Sequence, residues 1–253
     1  TQGVSSAASD VYKRQALTEA LLSLSNQTDQ QAQATQQDVK SLKNIAYGVI
    51  VSDKPSEFKE PLKNIKSRLE NASKYNQQFI DILSELEKSE HVDLSNEIKQ
   101  VKEANNSIND NLKSTNQLID ALSNGSSGQL EAVNVLRDLP NLNKRLDTLR
   151  NYIKKELNRN LLAVSNEITD QLNKGQNTLS TIQSKLNTIN RVINAGQDIL
   201  NSGKKRIDTI QTALPAIENA YINAMRTAQA YFPTAKKDVT KAADFVRNDL
   251  PGL

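Results

Sequence analysis

The chain has 253 residues, of which 37% are hydrophobic, 24% are charged and only 4% are aromatic, and it contains no Cys, no Trp, one Met and one His. The lack of Cys excludes disulfides, thiolate catalysis and Cys-based zinc sites. The 32 Lys and Arg residues nearly balance the 29 Asp and Glu residues, and the net charge of +3 is too small and too scattered for a nucleic-acid-binding surface.

Residues 1–15 show neither helical nor strand periodicity, and we leave them out of the fold as a non-native or disordered leader. Residues 16–122 form a predicted N-terminal helical region, because apolar residues there recur at spacings of three and four. Four polar residues interrupt this pattern in the first helix: Thr28, Gln31, Thr35 and Asp38. Such a polar middle predicts a loosely held helix.

Turn-forming residues divide the rest of the chain. Pro55 and Pro61 mark a connection to the second helix, and Asp93 or Ser95 can cap the third. Residues 123–128 contain the run Asn-Gly-Ser-Ser-Gly, which is typical of a flexible connection. We therefore predict a linker there, followed by a long-helix coiled-coil region at 129–253 that ends in short helices.

A seven-residue repeat dominates this second region and predicts one very long helix, starting after Pro140 and running to Leu214. The first heptad track consists of Leu172, Leu179, Leu186, Ile193, Leu200, Ile207 and Leu214. The second heptad track consists of Leu161, Ile168, Gly175, Ile182, Ile189, Gly196, Gly203 and Ile210. The three glycines of the second track either let a partner helix approach closely or mark kinks.

This region contains three prolines in the same pattern, Leu-Pro-x-Leu or Leu-Pro-x-Ile, where x is any residue. They are Pro140, Pro215 and Pro251. Because proline ends or kinks a helix, we expect a corner at each. The predicted fold is therefore all-α, an elongated antiparallel helical or coiled-coil bundle with one very long helix and Pro-marked corners. Tyr231 and Phe232 are a candidate docking point for a protein partner, core packing being the other role open to them.

The sequence offers little material for catalysis. His91 is the only imidazole and lies beside acidic residues at a predicted helix junction, where we expect it to be solvated. Phosphate-binding glycine loops and His-Glu-x-x-His patterns are absent from the sequence. We predict that the chain is not an enzyme and uses no metal, no cofactor and no small-molecule substrate.

The C-terminal half resembles the extracellular region of the YhgE/Pip (phage infection protein) family. The resemblance covers residues 130–253 and rests on the glycine-containing heptads, the Leu-Pro corners and the run from Leu214 to Leu253. It implies a multi-pass membrane protein of Gram-positive bacteria, with this helical region outside the cell and the membrane-spanning segments beyond this chain. It also implies a role as a phage receptor or as an accessory component of type VII secretion, and it brings no catalytic residues.

The leading hypothesis is a non-enzymatic extracellular stalk that dimerises along its heptad seam and binds phage or secretion proteins. The alternative is a cytoplasmic coiled-coil or spectrin-like scaffold. The 28 Asn residues favour the extracellular hypothesis, since cytoplasmic scaffolds of this kind usually have more Glu and Lys and fewer Asn. No stretch of the sequence approaches the roughly 20 apolar residues of a membrane-spanning helix.

Overall fold

The computed structural model describes residues 2–173, 183–184, 186–199, 201–202 and 205. In these ranges the chain is helical almost throughout and contains no strand, which confirms the predicted all-α class. The helices are α1 (Gln2–Val51), α2 (Lys59–Glu90), α3 (Ser95–Ser123), α4 (Gln129–Tyr152) and α5 (Asn158–Asn173), and residues 186–199 are also helical. A 3₁₀ turn at Pro55–Phe58 precedes α2, and a π-helical segment at Ile153–Leu157 joins α4 to α5.

The helix α1 begins at Gln2 and therefore includes the stretch before residue 16 that the sequence analysis left outside the fold. The same helix contains Leu17, Leu21 and Leu24, all of which are fully buried.

The chain divides into two compact units that do not follow the order of the sequence. Unit 1 comprises residues 1–32, 75–103 and 148–205, and unit 2 comprises residues 33–74, 104–147 and 206–253. The predicted linker at 123–128 lies within unit 2, where it connects α3 to α4. The units are therefore defined by which helical segments pack together, and residues on both sides of 123–128 belong to the same unit.

The first three helices bury residues at alternating spacings of three and four, the pattern of helices packed along a common seam. On α1 the buried positions are Leu17, Leu21, Leu24, Thr28, Gln31, Thr35, Asp38, Leu42, Ile45 and Val49. On α2 they are Leu62, Ile65, Leu69, Ala72, Asn76, Phe79, Leu83, Leu86 and Glu90. On α3 they are Leu94, Glu97, Val101, Ala104, Ile108, Asn111, Thr115, Leu118 and Leu122.

The polar middle of α1 is buried rather than loosely held. Thr28, Gln31, Thr35 and Asp38 are each at most 2% exposed and occupy the same face as the leucines on either side. The reason is that they keep the heptad spacing, so the packing of the flanking leucines carries them into the core. The expectation of a loosely held middle does not agree with this burial.

The π segment at Ile153–Leu157 takes up one extra residue in the heptad pattern. Leu146, Leu149 and Ile153, the first residue of the segment, are buried at the usual spacings, and after the segment the pattern resumes at Leu161 and Val164. From residue 153 to residue 161 is eight positions where a continuous heptad requires seven. A π turn bonds residue i to i+5 and so contains one more residue than an α turn. The bulge restores the phase of the buried face without interrupting the helix.

Pro140 is not a corner, in contrast to the sequence prediction. It lies inside α4, which continues from Gln129 to Tyr152. Proline removes one helical hydrogen bond but does not by itself dictate a break. Here Leu136, Leu139 and Leu142 are all buried on the packed face around it, so tertiary packing holds the helix together across the proline.

Two connections are fixed by local hydrogen bonds and by glycine. Between α2 and α3, the Asp93 carboxylate accepts the backbone N–H of Ser95 at 3.0 Å, as the capping prediction anticipated. Between α3 and α4, Gly125 and Gly128 have φ values of 79° and 68°, a left-handed conformation that favours glycine. At Gly128 a Cβ atom would also lie 2.9 Å from side-chain carbons of Leu118 and Leu122.

Candidate functional site

The described helix at 186–199 buries one face, and its most buried residues are not those of the first heptad track. Leu186 and Ile193 of that track are half-buried. Ile189 and Val192 are 1% exposed and Ile199 is 4% exposed. The buried face is therefore centred on the second heptad track and on positions three residues after it. Leu172 lies in α5 without a described side chain, and Leu179, Leu200, Ile207 and Leu214 lie outside the described residues.

Gly196 distinguishes between the two roles proposed for the seam glycines. It is buried, and a Cβ atom there would lie 3.2 Å from Cδ1 of Leu24. Both residues belong to unit 1, where the glycine allows its helix to pack closely against α1. Close packing is therefore the role at Gly196, while Gly175 and Gly203 lie outside the described residues.

Several predicted functional residues fall where the structure gives no description. The corner residues Pro215 and Pro251 and the docking candidates Tyr231 and Phe232 all lie outside the described residues.

His91 is exposed in the connection between α2 and α3, and its φ is 54°. In the same loop, hydrogen bonds from the Ser95 side chain and backbone lower the pKa of the Asp93 carboxyl, which keeps this cap ionised. In the described part of the chain, no group of three His, Cys, Asp or Glu side chains is arranged to hold a metal ion.

A polar cluster that was not predicted from the sequence surrounds Glu97 in unit 1. Glu97 is 4% exposed, and its Oε1 atom accepts hydrogen bonds from Tyr152 Oη at 2.9 Å and Asn160 Nδ2 at 2.6 Å. These three residues come from α3, α4 and α5, and Tyr152 directly precedes the π segment. The available signal was the spacing of Leu94, Glu97 and Val101, which puts a carboxylate on the buried face of α3.

The chemistry of this cluster favours a fixed structural contact. Desolvation, followed by the neighbouring Glu97 carboxylate, raises the pKa of Tyr152, so its phenol stays protonated and donates. Hydrogen bonds to a charged acceptor are among the stronger ones in proteins. The cluster therefore ties α3 to the helix that contains the bulge, at the place where the bulge resets the phase of the buried face.

A second polar contact in unit 1 fixes α2 against the middle of α1. Tyr75 is 3% exposed, and its hydroxyl donates to the Leu24 carbonyl at 3.1 Å and also lies 3.1 Å from Thr28 Oγ1. On the outer side of α1, Arg150 Nε donates to Asp29 Oδ1 at 3.0 Å. These contacts fix the register of the helices, that is, which turn of one helix lies opposite which turn of the next. Leucine packing alone specifies this register poorly.

The outward surface of the 183–194 stretch is rich in amides. An open groove there is lined by Gln183, Ser184, Asn187, Asn190, Arg191 and Asn194. Arg191 also lies 3.1 Å from the Glu85 carboxylate, joining this stretch to α2 within unit 1. The groove presents both donors and acceptors with little net charge, which suits a polar, uncharged contact surface.

Comparisons with models of protein families, with curated proteins and with solved structures find no match to this chain. Among the described helices, none combines the length and the apolar character that a membrane crossing requires.

Proposed function

We propose that the chain is a non-enzymatic extracellular interaction region of a bacterial membrane protein of the YhgE/Pip type. In this role it presents helical surfaces to protein partners such as phage or secretion components. The observation that carries the proposal is the buried face of Leu161, Val164 and Ile168 after the π segment, together with the buried face of Ile189, Val192 and Ile199 in the described helix at 186–199. Regular seams of this kind are typical of proteins that use helices as mechanical supports.

The proposed mechanism is geometric. Buried leucines supply cohesion, while buried polar contacts such as Glu97 with Tyr152 and Asp38 with Arg68 fix the register of the helices. The outward faces are then free to carry binding residues, and the amide-rich groove around Asn187 and Asn190 is a described surface that suits a polar partner. Self-association along the heptad tracks is part of the same proposal.

The decisive experiment places a single Cys on an exposed connection in the full-length gene product, which exploits the Cys-free sequence. Ser126 is exposed between α3 and α4, and Ser126→Cys should react with a membrane-impermeant maleimide on intact cells. The matched control is Ser25→Cys, because Ser25 is 0% exposed and its thiol should react only after denaturation.

The two outcomes separate the competing functions. Labelling of Ser126→Cys on intact cells, with Ser25→Cys unlabelled, supports the extracellular region and makes phage-adsorption and secretion assays the next step. Labelling of Ser126→Cys only after lysis contradicts the proposal and favours the cytoplasmic scaffold.

A further inference from the structure

Two polar contacts set the alignment of α3 against α4 within unit 2. The Ser114 hydroxyl bonds to the Asp138 carboxylate, and Asn141 Nδ2 donates to Ser107 Oγ at 3.2 Å. The higher-numbered residue of α3 meets the lower-numbered residue of α4, so the two helices run antiparallel. Asn111 lies between Ser107 and Ser114 on the same face of α3, which puts it opposite the turn of α4 that contains Pro140.

Asn111 and its neighbour Thr115 carry buried polar atoms without a hydrogen-bond partner. Both residues are 0% exposed. Neither the Oδ1 nor the Nδ2 atom of Asn111 has a protein partner, and neither does the Thr115 hydroxyl. Most buried polar atoms in proteins are hydrogen-bonded, to protein or to ordered water. Thr28 follows that rule, since its hydroxyl donates to the Leu24 carbonyl at 2.7 Å.

Across the interface, Pro140 leaves a backbone acceptor without its usual donor. Because proline has no N–H, the carbonyl of Leu136 cannot receive the α-helical hydrogen bond from residue 140. Leu136 is 0% exposed, so its carbonyl is not in contact with bulk solvent. The partnerless side chains of Asn111 and Thr115 and the Leu136 carbonyl, which has lost its α-helical donor, are thus on facing turns of α3 and α4.

We propose that these facing turns form a buried water-binding site, in which Asn111, Thr115 and the Leu136 carbonyl hold one or two ordered waters. A buried water typically makes about three hydrogen bonds, and this site supplies a matching set of donors and acceptors. A water that donates to the Leu136 carbonyl takes the place of the missing N–H. Such a water would act together with the packing of Leu136, Leu139 and Leu142 in keeping α4 continuous through Pro140.

The first test measures water contacts directly in the wild-type chain. Rotating-frame NOE spectra of the ¹⁵N-labelled protein should show a cross-peak between the Asn111 side-chain amide protons and water, with the sign of a dipolar contact, which is opposite to that of proton exchange. Absence of this cross-peak from an assigned Asn111 amide would overturn the proposal.

Two variants identify the groups that hold the water. Pro140→Ala restores the backbone donor to the Leu136 carbonyl and should abolish or strongly weaken the cross-peak at Asn111. Pro61→Ala is the matched control and should leave it unchanged, because Pro61 lies in the first turn of α2 and not in α3 or α4.

If Pro140→Ala does not fold, Thr115→Val serves in its place. The substitution keeps the shape of the side chain and removes only the hydroxyl, so it should reduce the cross-peak. A full-strength cross-peak in the folded Pro140→Ala and Thr115→Val variants would refute the assigned ligands.

Discussion

The Oδ1 atom of Asp38 lies 2.8 Å from Nε of Arg68, and the two side chains are 0% and 6% exposed. The pair joins α1 to α2 within unit 2, at a position where the buried face of α1 is polar. A buried ion pair adds little net stability relative to a well-packed apolar pair, but it strongly disfavours arrangements that separate the charges.

Breaking this pair should be costly. Asp38→Ala leaves the Arg68 guanidinium buried without its carboxylate, and we expect a loss of about 3–5 kcal/mol in the free energy of unfolding. The double substitution Asp38→Leu with Arg68→Met removes both charges and should recover most of that loss. Urea unfolding monitored by circular dichroism measures both variants. A loss below about 1 kcal/mol for Asp38→Ala would show that the pair has no structural role.

The burial difference along the heptad seam predicts unequal effects of a charge. Ile189→Asp introduces a carboxylate at a 1% exposed position and should lower stability by several kcal/mol. Leu186→Asp, at a half-buried position, should cost distinctly less because the new carboxylate can reach water. Thermal unfolding of the two variants provides the comparison. Equal melting temperatures would argue against the seam as described.

The π segment makes a prediction about deletions. Removing Lys155, which is exposed, takes out the extra residue and should let α4 and α5 join as one α-helix with Ile153 and Leu161 in phase. Removing exposed Asn143 instead shifts Leu146 and Leu149 off the buried face and should destabilise the fold far more. Chemical denaturation of the two deletions tests this, and a greater loss for the Lys155 deletion would contradict it.

Burial of Tyr75 predicts a loss of stability at alkaline pH. Desolvation raises the pKa of its phenol well above the usual value near 10, and the hydrogen bond with Thr28 opposes this only partly. The folded chain therefore keeps the proton where the unfolded chain releases it. The contribution of Tyr75 is complete below about pH 10 and decreases as the pH rises above that value.

Urea unfolding at a series of pH values from 8 to 11 measures this effect. Tyr75→Phe should show a shallower decline above about pH 10, because one of the groups responsible is gone. A second contribution remains in that variant, since the pKa of Tyr152 is also raised. Identical pH profiles for the wild type and Tyr75→Phe would contradict the predicted linkage.

The sequence specified the helical class because spacings of three and four leave a strong signal, as at Leu17, Leu21 and Leu24. It also located the turns at Asp93 and at Gly125, where local chemistry acts over a few residues. It failed at Pro140, because whether a helix ends at a proline depends on what packs around it. The burial of Glu97 was not predicted either. A carboxylate is expected to be solvated unless hydrogen-bond donors from other helices surround it, and those donors are not visible in the sequence.

The shift in heptad phase at the π segment could have been predicted from the sequence. The eight-residue step from Ile153 to Leu161 is visible in the printed chain, and it predicts an extra residue in one turn. Which residues face inward near Leu186 could not be read in the same way, because both heptad tracks there are apolar and only the packed neighbours choose between them.

The division into units bears on how the molecule can be shortened. Each unit draws on three separate stretches of the chain, and α1 supplies residues to both. A cut at 123–128 would divide unit 2 between the two fragments. Truncating α1 would remove residues from both units. Within the described residues, neither a cut at 123–128 nor trimming from the N-terminus isolates one unit, so a shorter version would require redesigned connections that rejoin helical segments distant in the chain.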